Sequence, residues 1–265
     1  MAYGQINVDS TVTSWNDTTG GLYGFKNRII NGAMQVWQRG TSFSGLTNTG
    51  AYTADRWQFG SSGTGVVTIS QSTDVPASAS FTYSALWTVT TAQASLSASQ
   101  YYQFNHRIEG YNVADLRFGT SAASPITVSF WVKSSVAGTY SIAINRDAAT
   151  TYRAYVTTYT INSANTWEQK TITVPGDTVS APNASELTNG SGLYVGFQLG
   201  TGSTYQTSTL NAWQSGIFVA STSSTNLFAT NGATWQVTGV QVEKGSTATS
   251  FDYRPYGTEF ALCQR

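Results

Sequence analysis

Catalysis would have to run through few groups. The sequence holds a single histidine, His106, in Gln103-Phe104-Asn105-His106-Arg107. A serine triad would need it as the general base, yet no Gly-x-Ser-x-Gly elbow in a strand-to-helix context accompanies it. It reads instead as a hydrogen-bonded structural histidine. Glycoside cleavage would need two carboxylates facing each other across a sugar, and the 13 acidic residues are scattered singly with no motif marking a pair. The expectation is a non-enzymatic protein without catalytic residues.

Binding chemistry is better supplied. The chain carries 12 Phe, 15 Tyr and 8 Trp. The apolar face of a pyranose stacks on Trp or Tyr while amides and guanidinium groups read its hydroxyls. Trp131, Tyr101, Tyr152, Tyr155 and Arg153 are the candidate glycan-binding residues. Trp131 projects opposite the Ile126-Val128-Phe130-Val132 face, and the tyrosines have polar neighbours such as Arg146 and Arg153. Ordinary sheet packing is the competing reading for each.

The elements that must position these groups are strands. Period-two alternation runs through Pro125 to Lys133, Tyr83-Ala85-Trp87-Val89, Tyr152 to Ile161, Lys170-Ile172-Val174, Leu193-Val195-Phe197-Leu199 and Trp235 to Val242. Tyr140, Ile142 and Ile144 resume the pattern after Ala137-Gly138, which predicts a hairpin with the 125–133 strand. Helical signal is confined to Asn112–Arg117 and Thr258–Arg265. Many short strands without a sustained 3.6 period predict an all-β fold, a two-sheet β-sandwich or jelly roll.

Composition narrows the class. Charged residues make up 10% and the formal net charge is zero, so nothing steers the chain to nucleic acid or an anionic membrane. No apolar run reaches the length of a membrane span. Cys263 is the lone cysteine, which excludes a disulfide framework within the chain and is expected to be a small buried apolar residue. The opening MAYGQINVDS lacks the basic and apolar regions of a secretory signal. Residues 1–24, polar and turn-rich, are expected to attach the chain to another copy or to a different protein, and 25–265 to form the sandwich.

The stretch Asn27-Arg28-Ile29-Ile30-Asn31-Gly32-Ala33-Met34-Gln35-Val36-Trp37-Gln38-Arg39-Gly40 resembles the opening of a domain found in bacteriophage tail-fibre and virion structural proteins. Its companions stand in order: Tyr52-Thr53-Ala54-Asp55-Arg56-Trp57, Arg107-Ile108-Glu109-Gly110, the 125–135 strand, Val174-Pro175-Gly176-Asp177-Thr178, Val237 to Ser246, and Phe251 to Arg265. Together they span about residues 25–265. The first nine residues are similar to those of appendage proteins from phages of marine cyanobacteria.

The resemblance implies a carbohydrate-binding-module-like sandwich displayed on the outside of a virion. The chain would be a homo-oligomer, with a trimer among the options, and would contact other virion proteins through 1–24 and glycans of the host surface. The size suits a short tail fibre, knob or appendage; the alternative is a capsid decoration, cement or head-fibre protein with a purely structural role. Within the matched segments, Asp55, Arg56, Trp57, Glu243 and Arg254 are expected to hold the fold, the acids and arginines through buried ion pairs. No cofactor is required, although modules of this fold often hold calcium, which would point to Asp55, Glu243 or Asp252.

Overall fold

Alternation places one face of each strand inward, and the chain folds by burying those faces against each other. In a computed structural model, which describes residues 25–148 and 151–264, the strands are β1 Ser42–Leu46, β2 Gly50–Tyr52, β3 Trp57–Ser61, β4 Val66–Ser72, β5 Ser84–Thr91, β6 Tyr101–Glu109, β7 Ile126–Ser134, β8 Gly138–Asp147, β9 Tyr152–Ile161, β10 Glu168–Val174, β11 Ser191–Thr201, β12 Gln206–Thr207, β13 Trp213–Ser215, β14 Ala220–Ser221 and β15 Thr234–Lys244. One helix, α1 Tyr256–Cys263, follows. The larger strands form a six-stranded sheet, β1-β4-β5-β15-β7-β10, and a seven-stranded sheet, β13-β9-β8-β11-β6-β3-β2; β12 and β14 form a small parallel pair. The described chain is thus the two-sheet β-sandwich that the alternation predicts.

The sheets meet over an aromatic core. Trp57 stacks on Phe104 at 4.9 Å, Phe197 lies 4.9 Å from Phe130 and 5.4 Å from Trp235, and Trp87 meets Phe104 edge-on at 5.5 Å. Trp57, Phe104 and Phe197 come from the seven-stranded sheet, Trp87, Phe130 and Trp235 from the other, so these rings interdigitate across the sandwich.

One local expectation is corrected. The strand at 126–134 does not form a hairpin with the one starting at Gly138, because β7 lies in the six-stranded sheet and β8 in the seven-stranded one. The connection carries the chain across the sandwich edge, and β8 finds its hairpin partner in β9 along ten residue pairs. The helical signal at 112–117 corresponds to two 3-10 turns, Gly110–Asn112 and Ala114–Leu116. The terminal helix is present as α1.

Several of the segments behind the sequence resemblance meet at one corner. Asn31, in the left-handed region at φ 57°, donates from Nδ2 to the carbonyls of Val36 (2.8 Å) and Asp55 (3.0 Å) and accepts from the Gln35 and Val36 N–H groups. Asn27 Nδ2 donates to Val240 O at 3.0 Å, while its Oδ1 accepts from Val242 N at 3.0 Å. Between these asparagines, a Cβ on Gly32 would fall 2.1 Å from Val240 O. Only glycine lets this loop seat against β15, where register slips between Thr238 and Gln241 and Gly239 turns at φ 62°. The two motifs lie some 200 residues apart in sequence and interlock here.

Asp55, Arg56, Trp57, Glu243 and Arg254 each bond to neighbouring groups, the acids and arginines not always as ion pairs. Asp55 accepts from the Gln38 side chain and backbone and is reached by Arg39 at 3.4 Å, whereas its neighbour Arg56 pairs with Glu109 at 3.3 Å. Both lie in the turn between β2 and β3, with Arg56 in the left-handed region at φ 71°, and they serve different partners. Glu243 meets no arginine; it accepts from Gln241 Nε2, Thr249 N and Thr249 Oγ1 and so pins the turn after β15. Arg254 bridges Glu259 at 3.0 Å and the carbonyls of Ile29 and Asn27, and Trp57 Nε1 donates to Asn31 O at 3.1 Å.

The carboxylates named for calcium are a poor match to a cation. Asp252 accepts from the backbone N–H of Lys26 (2.7 Å) and Asn27 (3.1 Å). Glu243 likewise faces N–H and O–H donors, and Asp55 faces N–H groups and a guanidinium. Donor hydrogens and a cation compete for the same lone pairs, and among the described residues no three His, Cys, Asp or Glu side chains gather.

Candidate functional site

The outward face of the seven-stranded sheet is built by register. Gln58, Asn105, Gly196 and Ala143 form one rung across β3, β6, β11 and β8, and Arg107, Tyr194, Asn145 and Ala154 form the next across β6, β11, β8 and β9. Gly196 has no side chain, and Tyr194 occupies the space: a Cβ there would lie 2.6 Å from the Tyr194 ring. The ring is fixed by its hydroxyl, which donates to Gln103 Oε1 at 2.5 Å, and carries the Arg107 guanidinium 5.5 Å from its centroid. Burial pushes the Tyr194 phenol well above its ordinary range, against the pull of Arg107. It acts as a neutral donor.

Part of this face is covered by the segment that holds β12, β13 and β14. Ser221 N donates to Ser141 Oγ at 2.8 Å, Asn145 Nδ2 to Phe218 O at 3.0 Å, and Val219 N to Tyr205 O at 2.9 Å. Between this flap and the sheet lies a cleft of about 310 Å³. Its floor carries Gln103, Asn145 and Tyr194; Tyr205 and Val219 come from the flap, and Tyr101 meets Tyr205 edge-on at 5.8 Å. Tyr152 stands at the mouth, 46% exposed.

The polar groups under the cleft are under-used. Both amide atoms of Gln198, which is fully buried, lack a hydrogen-bond partner, and so do Oδ1 of Asn105 (1% exposed) and Oδ1 of Asn145 (8% exposed). Gln198 Nε2 would lie 3.0 Å from a Cβ on Gly196, so its amide reaches back beneath Tyr194. Buried polar atoms without partners are uncommon because each carries a desolvation cost of about 1–3 kcal/mol. Four of them on one sheet face, beside tyrosine rings, suit a ligand rich in hydroxyls.

The candidate residues read from the sequence are divided. Tyr101 and Tyr152 line the cleft. Tyr155 does not: it pairs with Ile144, shares its inward face and packs on Trp213 at 5.7 Å. Arg153 is also inward, bound through Nε and Nη2 to Asp177, both at 3.0 Å. Arg146 joins them, bridging Asp177 (2.9 Å) and Glu186 (2.8 Å), so the 177–186 loop is clamped to the edge of β8 and β9 beside the cleft. Trp131 lies on the outward face of the other sheet, half-buried opposite Gln169 and Thr238. Tyr194, Tyr205, Gln103 and Arg107 were not singled out, although the alternation Leu193-Val195-Phe197-Leu199 already leaves Tyr194 facing the other way.

Among the described residues lining the cleft, no pair of facing carboxylates is assembled. His106 is buried; its Nε2 accepts from Ile30 N–H at 3.2 Å, and burial, with the nearby Arg56 charge, lowers its pKa to about 3. Cys263 is buried against Ile30 and Val36, and burial raises its thiol to about 12. Among the described residues lining the cleft, Asp147 carries the one carboxylate outside the Arg146 clamp.

No family model and no curated protein matches the chain. Comparison with solved structures gives distant matches. The enzymatically active domain of tailspike protein 4 from bacteriophage CBA120 superposes with a TM-score of 0.45 at 14% identity, over 83% of this chain and 21% of that one. The family 11 carbohydrate-binding module of a Clostridium thermocellum cellulosomal cellulase gives 0.38 at 12% identity, over 72% and 88%. The N-terminal cellulose-binding domain of a Cellulomonas fimi β-1,4-glucanase gives 0.35 at 11%, over 68% and 84%. The chain spans about a fifth of the tailspike's length. At these values no site is carried over.

Proposed function

We propose that this chain is a non-enzymatic glycan-binding structural protein of a bacteriophage particle, with the tyrosine cleft on its seven-stranded sheet turned towards surface sugars. The observation that carries the reading is one cleft with Tyr101, Tyr152, Tyr194 and Tyr205 around it and unmatched amide groups of Asn145, Asn105 and Gln198 at or beneath its floor. A sugar ring offers an apolar face to the tyrosines and hydroxyls that both donate and accept to the amides. Glycan cleavage is disfavoured by the scarcity of carboxylates in the cleft.

The phage part of the reading rests on the ordered sequence segments; several of these build the Asn27–Asn31 corner, and one brings Arg107 to the cleft. They speak for the scaffold, and the cleft speaks for the ligand. An oligomer on the particle exterior, attached through residues 1–24, would gain avidity from many weak sites; those residues lie outside the described part of the chain. Probing a glycan array with the multimerised chain tests the ligand: retention of a defined sugar class is expected. Loss of all binding at high avidity would sink it and leave a decoration or cement role, which locating the chain in intact particles would decide.

A further inference from the structure

The cleft continues past Arg107 into a second hollow of about 360 Å³, whose walls include Arg39, Tyr52, Arg56 and Glu109. Arg107 and Ser191 line both spaces. Register explains the alignment. Arg107 pairs with Tyr194, and Tyr194 with Asn145, while Arg56, in the turn just before β3, lines the same hollow as Arg107. At about 4.8 Å per strand, the rung of a guanidinium, a ring and an amide spans about 10 Å.

The charges around the hollow are unevenly matched. Arg56 is 3.3 Å from Glu109, and Arg39, its side chain 53% exposed, is 3.4 Å from Asp55 and lies 5.5 Å over the Tyr52 ring. Arg107 is exposed, sits over Tyr194, and among the described residues meets no carboxylate. Guanidiniums lining one hollow repel, and an anion among them would relieve that repulsion. The guanidinium fork suits a carboxylate, which it can hold through two parallel hydrogen bonds.

We propose that this hollow is the anion subsite of the glycan cleft, and that the ligand is an acidic oligosaccharide. A uronic-acid carboxylate is held by Arg107 with Arg56 and Arg39 behind it, while an adjoining sugar ring lies among the tyrosines. The proposal rests on the glycan-binding reading of the cleft. Since the chain has no net charge, the attraction is local and should weaken with salt.

Calorimetric titration of the whole chain with oligomers of galacturonate, mannuronate, guluronate and glucuronate, each beside its carboxyl-reduced counterpart, tests it. At least one acidic oligomer is expected to bind about tenfold or more tighter than its reduced form, with the ratio falling as salt rises from about 0.05 M to about 1 M. Arg107→Gln should bring that ratio near one, and Arg107→Lys should restore much of it. Equal binding of acid and reduced forms, or a ratio unmoved by Arg107→Gln, overturns the subsite while the cleft stands. Binding of no oligomer here and no sugar on the array overturns both.

Discussion

Asn31 and Gln198 are both buried amides with opposite environments. At the corner where the 27–36 loop meets β15 and α1, Asn31 makes four hydrogen bonds with its side chain and donates its own N–H to Glu259. On the outward face of the seven-stranded sheet, Gln198 makes none with its side chain, and Asn105 and Asn145 are each half satisfied. The first region spends most of its polar groups on the fold, Arg254 Nε being left without a partner, and its residues are tied to one another. The second holds desolvated groups in reserve, an arrangement that costs stability unless something outside the chain completes it. Stability and binding should therefore respond to different residues.

The largest effect is expected at Gly32. Gly32→Val drives a side chain into the β15 backbone, with Val240 O 2.1 Å from the first added carbon. A loss of about 4 kcal/mol or more is expected, read as loss of the cooperative unfolding transition. A stable, folded Gly32→Val chain would mean that the corner is not the clamp described.

Next is pH. His106 is neutral in the fold, with a pKa of about 3 against about 6.5 when unfolded. The unfolded chain therefore binds the proton first as pH falls. His106's contribution is fully present above about 6.5 and is lost progressively down to about 3, a change on the order of 5 kcal/mol. Between pH 6.5 and 5, before most carboxylates titrate, urea midpoints should fall for the natural chain and stay flat in His106→Gln. A wild-type midpoint independent of pH there would show that His106 is already charged or exposed.

In the cleft the sign of the contrast should reverse. Tyr152→Ala removes a half-exposed ring at the mouth and should weaken glycan binding by about 1–2 kcal/mol while moving the thermal midpoint little. Equal binding by the variant would remove Tyr152 from the site. The smallest stability change is expected for Gln198→Met, which replaces two unmatched polar atoms with an apolar chain of similar volume. It should be neutral or stabilising by about 1 kcal/mol, with weaker binding. A strongly destabilised Gln198→Met would show that the amide already has partners in the fold.

The division of the tyrosines shows what could be read and what could not. In Tyr152 to Ile161, alternation alone separates Tyr152 from Tyr155 and Tyr159, yet both faces of β9 are largely apolar, because β9 lies between the core and the segment bearing β13 and β14. A strand covered on both sides carries no hydrophobic contrast to name its inner face. Arg153 was misleading for a related reason. Its buried partner is Asp177, more than twenty residues away, which no local spacing reveals.

The sequence by itself determined the fold class and the alternating faces of β7 and β11, because these follow from period-two patterning. Only the tertiary structure decided that β7 and β8 part to different sheets, that Arg56 pairs with Glu109 rather than serving Asp55, and that Tyr101, Tyr194 and Tyr205 meet at one cleft. Register between strands far apart in sequence sets those meetings. It is fixed by the packing of both sheets at once, not by any stretch of chain alone.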